Sequence, residues 1–259
     1  MPRAAWWTAA EDARARGLPI HGFPPFEDPS SEHVAQLDVV GALEPLVDES
    51  LAPEREPVLR ELAARAAGVA TGLVGFQALQ RSAVDLDGLL ASFQDGDLVP
   101  HWREVWGPAG HGLRRAPGPD DAERLAESFQ HQLELLPVLS DAEVRLVPSS
   151  QALAAIVLPG RGLHEELAIW VEAGVPPTRA LAHATACAAL LSHRSDLGVL
   201  REGAAAELIV VAGRPDQDLG ALAHLVGVLR NGRWIPRERI EAEVERARAR
   251  CIAEAPSAR

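Results

Sequence analysis

Pro159-Gly160-Arg161-Gly162 runs into Leu163-His164-Glu165-Glu166-Leu167 and a helix closed by Glu172-Ala173-Gly174-Val175-Pro176-Pro177. A second helix, Thr178-Arg179-Ala180-Leu181-Ala182-His183-Ala184-Thr185, is followed by Leu197-Gly198-Val199-Leu200-Arg201-Glu202-Gly203 and the strand Ala206-Glu207-Leu208-Ile209-Val210-Val211. Val226 to Leu229 and Asn231-Gly232-Arg233-Trp234-Ile235 close the stretch, and Asn-Gly between two apolar runs is a hairpin turn signal, because both residues tolerate positive φ. Glycine and proline thus punctuate two helices and a set of antiparallel strands.

Upstream the pattern alternates. Ala5 to Gly17 reads as a helix stopped by glycine, and Leu18 to Phe23 as a short buried strand closed by Pro24-Pro25. Ser30 to Gln36 is helical with a serine cap, Asp38 to Leu43 is a second strand, Pro57 to Ala67 is an amphipathic helix and Val69 to Val74 a third strand. Asp95 to Asp120, rich in Gly, Pro, Trp and Arg, reads as a long connection over a site or an interface. The helix Asp120 to Leu139 and a fourth strand, Val144 to Val147, lead into the opening stretch; a charged helix, Pro236 to Ala253, ends the chain. Four strands alternating with helices predict a parallel sheet, whereas a complete (β/α)8 barrel needs eight.

Composition narrows the function classes. With 259 residues, 47% of them apolar, the chain has material for a packed core. A net charge of −12 argues against nucleic-acid or anionic-membrane partners, which need a basic face. All cations are arginine, so a Schiff-base, phosphate-loop or metal-bridging lysine is excluded. The two cysteines, Cys187 and Cys251, form no framework, and with no apolar leader or membrane-length window the chain is expected to be cytoplasmic.

The order of signals from Pro159 to Ile235 resembles the C-terminal end of the amidohydrolase superfamily, especially its imidazolonepropionase-like and prolidase-like metal-dependent hydrolases. The resemblance implies an α/β fold: a partial TIM-like (β/α) barrel comprising strands five to eight (residues 1–195), the remnant of a small β-sandwich (196–236), and a C-terminal helix and tail (237–259). The first half of the barrel, with its paired histidines, is expected to be absent from this chain. The histidines after strands five and six and the aspartate after strand eight, which hold divalent cations in that family, fall on Phe23, Leu43 and Gln151. Phenylalanine and leucine carry no ligand atom, and a neutral glutamine amide is a poor ligand and no base.

The resemblance therefore implies a catalytically degenerate relative, a pseudoenzyme or truncated homologue without a cofactor, with strands five and eight as open edges. Such edges call for a partner: a homodimer of two half-barrels, or a chain supplying the missing half. The alternative is a metal-dependent hydrolase of amide, cyclic-amide or dipeptide C–N bonds, holding zinc or manganese on His21, His164 and His111, with His164 the candidate catalytic residue. A third reading is a small-ligand module whose emptied pocket is lined by Phe23, Gln151 and His164. Each histidine also has a plainer role: His21 as a buried neutral histidine, His33 beside Glu32 on a solvated helix, and His101 and His111 with Trp102, Trp106 and Arg114-Arg115 in an interface. Glu165 and Glu166 suit the positive end of their own helix. Ser149-Ser150 lacks the glycine elbow of a serine hydrolase, and Gly110-His111-Gly112 is too short for a phosphate loop.

Overall fold

Four short parallel strands lie side by side in chain order: β1 (His21–Gly22), β2 (Val39–Val40), β3 (Gly68–Ala70) and β4 (Arg145–Val147). The computed structural model describes residues 3–18, 20–22, 37, 39–41, 43, 68–93, 119–142, 144–152 and 156–253. Phe23, His33, His101, Trp102, Trp106, His111 and Arg114-Arg115, the helices expected at 30–36 and 57–67, and the connection to residue 118 lie outside the described residues.

Register divides the sheet into two rows. Gly22, Val40, Val69 and Leu146 stand in line, and the last three are fully buried. They share one core with Trp6 of α1 (Arg3–Ala15), Leu136 and Leu139 of α3 (Pro119–Asp141), and Leu167 and Trp170 of α4 (Arg161–Glu172). At about 25 cal/mol per Å² of apolar surface removed from water, this layer between sheet and helices is the main source of stability. The other row is His21, Val39, Gly68 and Arg145. His21 is exposed, contrary to the expectation of a buried histidine, because β1 is the outermost strand.

The third strand is shorter than its apolar run suggests. It ends at Ala70, Gly72 takes a left-handed φ of 65°, and Leu73 and Val74, expected as strand, open α2 (Leu73–Ala91). Gly75 and Gly88 dilute the helical periodicity of that segment, and Asp85 breaks it with φ −154° and ψ 86°. The Asp85 carboxylate then accepts the Gly88 N–H at 2.8 Å, capping the last turns as a second, redirected piece of helix.

After α4 the chain turns through Gly174 into α5 (Pro177–Ala182), a π turn at His183–Cys187, and α6 (Ala188–Leu191). The π turn carries His183 to β4. Thr71 N–H donates to the Val147 carbonyl, so Val147 points toward β3, and the Leu146 carbonyl, one residue earlier, points away from it. His183 Nδ1 meets that outward carbonyl at 3.0 Å. Among the described residues β4 is the last strand of the sheet, the edge expected there, and His183 satisfies this one outward carbonyl.

The expected C-terminal strands form an antiparallel sheet, β5 (Leu208–Val211), β6 (Leu225–Arg230) and β7 (Arg233–Pro236). Asn231 and Gly232 turn between β6 and β7 with φ of 50° and 72°, the left-handed pair of a hairpin turn. Glu207 accepts the Asn231 N–H at 3.0 Å, a structural role for the acidic turn before β5. Leu219 and Leu222 of a 3-10 turn (Leu219–Ala223) pack the small sheet onto the main core, and α7 (Arg237–Ala253) follows β7. Among the described residues no helix is long and apolar enough to cross a membrane.

Candidate functional site

In parallel α/β sheets, ligands gather where the strands deliver their C-terminal ends. Here that end is built from Gly41 and Leu43 after β2, Thr71 and Gly72 after β3, and Pro148 to Gln151 after β4. Gln151 takes a left-handed φ of 44° and donates from Nε2 to the Gly41 carbonyl at 3.2 Å. Since β2 and β4 both pair with β3, this bond ties together the segments that leave two non-adjacent strands. The side chain passes over Gly72, where an added Cβ would lie 2.4 Å from Gln151 Nε2, so the bond depends on glycine there. Leu43 is fully buried beside it in sequence from Gly41 and belongs to the apolar core.

One layer deeper lies a carboxylate. Glu166, expected at the start of its own helix as a dipole partner, instead turns inward and is fully buried. It accepts hydrogen bonds from the Thr71 hydroxyl, from Val74 N–H at 2.7 Å and from Trp170 Nε1 at 3.2 Å. Val74 is in the first turn of α2, so Glu166 supplies negative charge to the N-terminus of a neighbouring helix. Burial pushes its carboxyl above the ordinary range, while the bonds from Thr71, Val74 and Trp170 pull it back. Glu165, one residue earlier, faces solvent and pairs with Arg161 at 2.7 Å. The signal that separates the two was present: Gly162, Glu166 and Trp170 are four apart and form the buried face of α4.

His183 is the second group that sequence reasoning passed over. Buried against the edge of the Trp170 ring, with centroids 5.5 Å apart, it is held below its ordinary pKa by desolvation, with the Arg179 charge acting the same way and the Leu146 bond opposing. A neutral ring with its proton on Nδ1, facing a carbonyl, is a structural donor.

Of the three histidines singled out as ligands, two lie among the described residues. His164 is exposed in the first turn of α4, His21 is exposed on β1, and His111 is outside the described residues. Among the described residues no three His, Cys, Asp or Glu side chains come together as a metal site. Ser150 Oγ accepts the Ala152 N–H at 3.4 Å. Among the described residues, the groups at this end of the sheet are thus an engaged amide, an aliphatic side chain, the Thr71, Ser149 and Ser150 hydroxyls and backbone, with no imidazole or thiolate among them to hold a divalent cation.

No family model and no curated protein matches the chain. Solved structures do. A bottromycin amidohydrolase superposes with a TM-score of 0.64 at 21% identity, covering 100% of this chain and 59% of its own. An amidohydrolase crystal structure gives 0.58 at 18% identity (88% and 46% covered), and a Xaa-Pro dipeptidase with methionine bound in its active site gives 0.59 at 16% (86% and 46% covered). The chain thus spans about half the length of these structures, and over that half it has the fold of amidohydrolases and prolidases.

Proposed function

We propose that β1 to β4 stand for strands five to eight of an amidohydrolase-type barrel, and that the chain is a catalytically degenerate member of that group which acts by association. The observation that carries the reading is Gln151: where the resemblance puts an acid, a neutral amide is spent on the Gly41 carbonyl. A group already donating across the sheet neither ligates a cation nor takes a proton from water. The buried Leu43 supports the same reading on the next strand but one.

Association enters through β1. The outer side of β4 meets His183 of the same chain, whereas at β1 the Ile20 and Gly22 carbonyls face β2 and His21, between them, faces outward. Two copies joined there would form eight strands about a two-fold axis, and a separate chain supplying the remaining strands would use the same edge. Light scattering on the eluting protein is expected to give a mass of two or more chains, or an assembly with a second polypeptide; a folded monomer at micromolar concentration overturns the association. Amide, cyclic-amide and dipeptide substrates with added zinc or manganese are expected to go unhydrolysed, and metal-dependent turnover lost in His164→Ala would return the chain to the hydrolases.

A further inference from the structure

Between α2 and α4 lies a cavity of about 240 Å³, on the helix side of the sheet rather than at its C-terminal end. Its apolar wall comes from an irregular piece of backbone. The break at Asp85 redirects the last turns of α2, bringing Leu89 onto Ile156, and both are buried, with Phe93 packed beside them. Ile156 itself has a φ of 57°, a costly conformation for a β-branched residue, and strain of this kind persists where the surroundings demand it.

The charges around this wall are arranged unevenly. Arg161 and Glu165 neutralise each other at 2.7 Å. Arg81 of α2 and Glu172 of α4 also line the cavity, are exposed, and have no partner among the described residues. Glu172 is the last residue of α4, where the helix carbonyls already favour positive charge. One cation from α2 and one anion from α4, neither with a described partner, therefore line a small cavity of mixed polarity, with the apolar wall of Leu89, Phe93 and Ile156 on one part of it. The complement is a zwitterion with an apolar tail, and the volume, below the roughly 300–1,000 Å³ common for small-molecule sites, suits a single amino acid better than a peptide.

We propose that this cavity binds a free α-amino acid with an apolar side chain, Arg81 taking the carboxylate and Glu172 the ammonium. Titration calorimetry of the full chain with L-leucine and L-phenylalanine is expected to give saturable binding. Leucinamide, which lacks the carboxylate, and N-acetyl-leucine, which lacks the ammonium, should each bind roughly tenfold more weakly, the weight of one charge-assisted hydrogen bond. Arg81→Gln should abolish the preference for leucine over leucinamide and leave the preference over N-acetyl-leucine; Glu172→Gln should do the reverse. Both side chains are exposed, so neither change threatens folding. Absence of binding by either amino acid, or binding that both variants leave unaltered, overturns the proposal.

Discussion

Glu166→Ala is expected to destabilise the fold by about 1–3 kcal/mol, because it leaves the buried Val74 N–H without an acceptor, while Trp170 Nε1–H keeps Thr71 Oγ1 at 3.2 Å. The Thr71 hydroxyl is less affected, since the Val147 carbonyl lies 3.5 Å from it. Urea unfolding of wild type and variant gives the difference directly. Glu166→Gln isolates the charge. Burial raises this carboxyl above 4.5, so the folded protein holds the proton more tightly than the unfolded chain. The contribution is then complete below 4.5 and is lost as pH rises through the raised pKa. The stability of wild type minus that of Glu166→Gln should accordingly fall over that rise. An alanine variant as stable as wild type would mean that Glu166 does not hold β3, α2 and α4 together.

Trp170→Ala is expected to cost more, about 3–5 kcal/mol, as large-to-small changes of fully buried aromatics do. The indole fills the space between α4 and the sheet, its N–H serves both Thr71 Oγ1 at 3.2 Å and Glu166, and its ring edge positions His183. Its loss also loosens the bond from His183 to the Leu146 carbonyl of β4. Trp170→Phe, which keeps most of the volume and loses the donor, should cost about 1 kcal/mol, the usual net value of one hydrogen bond. Denaturation curves for the two variants separate packing from hydrogen bonding, and equal losses would contradict the assignment of most of the effect to packing.

Where local chemistry and tertiary structure agree, the sequence was readable. Asn231-Gly232 demanded a left-handed turn and made one, Gly17 stopped α1, and the helices around His164 and Arg179 ran as their periodicity predicts. The start of α2 was not legible, because Val69 to Val74 is an unbroken strand-like run except for Thr71-Gly72, and only the positive φ of Gly72 decides that the chain turns there. Glu166 was misread for a related reason. A glutamate in an early helical turn has a cheap solvated role, and only the donors of three other residues make its burial tolerable. For Gln151 the position after β4 could be counted from the following glycines and His164, but its reach to Gly41 depends on three strands being neighbours, a fact of topology that no local spacing contains.

The reading of Gln151 as a closure in place of a cation site can be tested by metal content. The protein is to be purified without chelators, incubated with zinc and with manganese, desalted, and analysed by inductively coupled plasma mass spectrometry. Far less than one ion per chain, unchanged in His164→Ala and in Gln151→Ala, is the expected result. An ion bound in near-equal ratio to the chain, retained through desalting and lost in either variant, would contradict it.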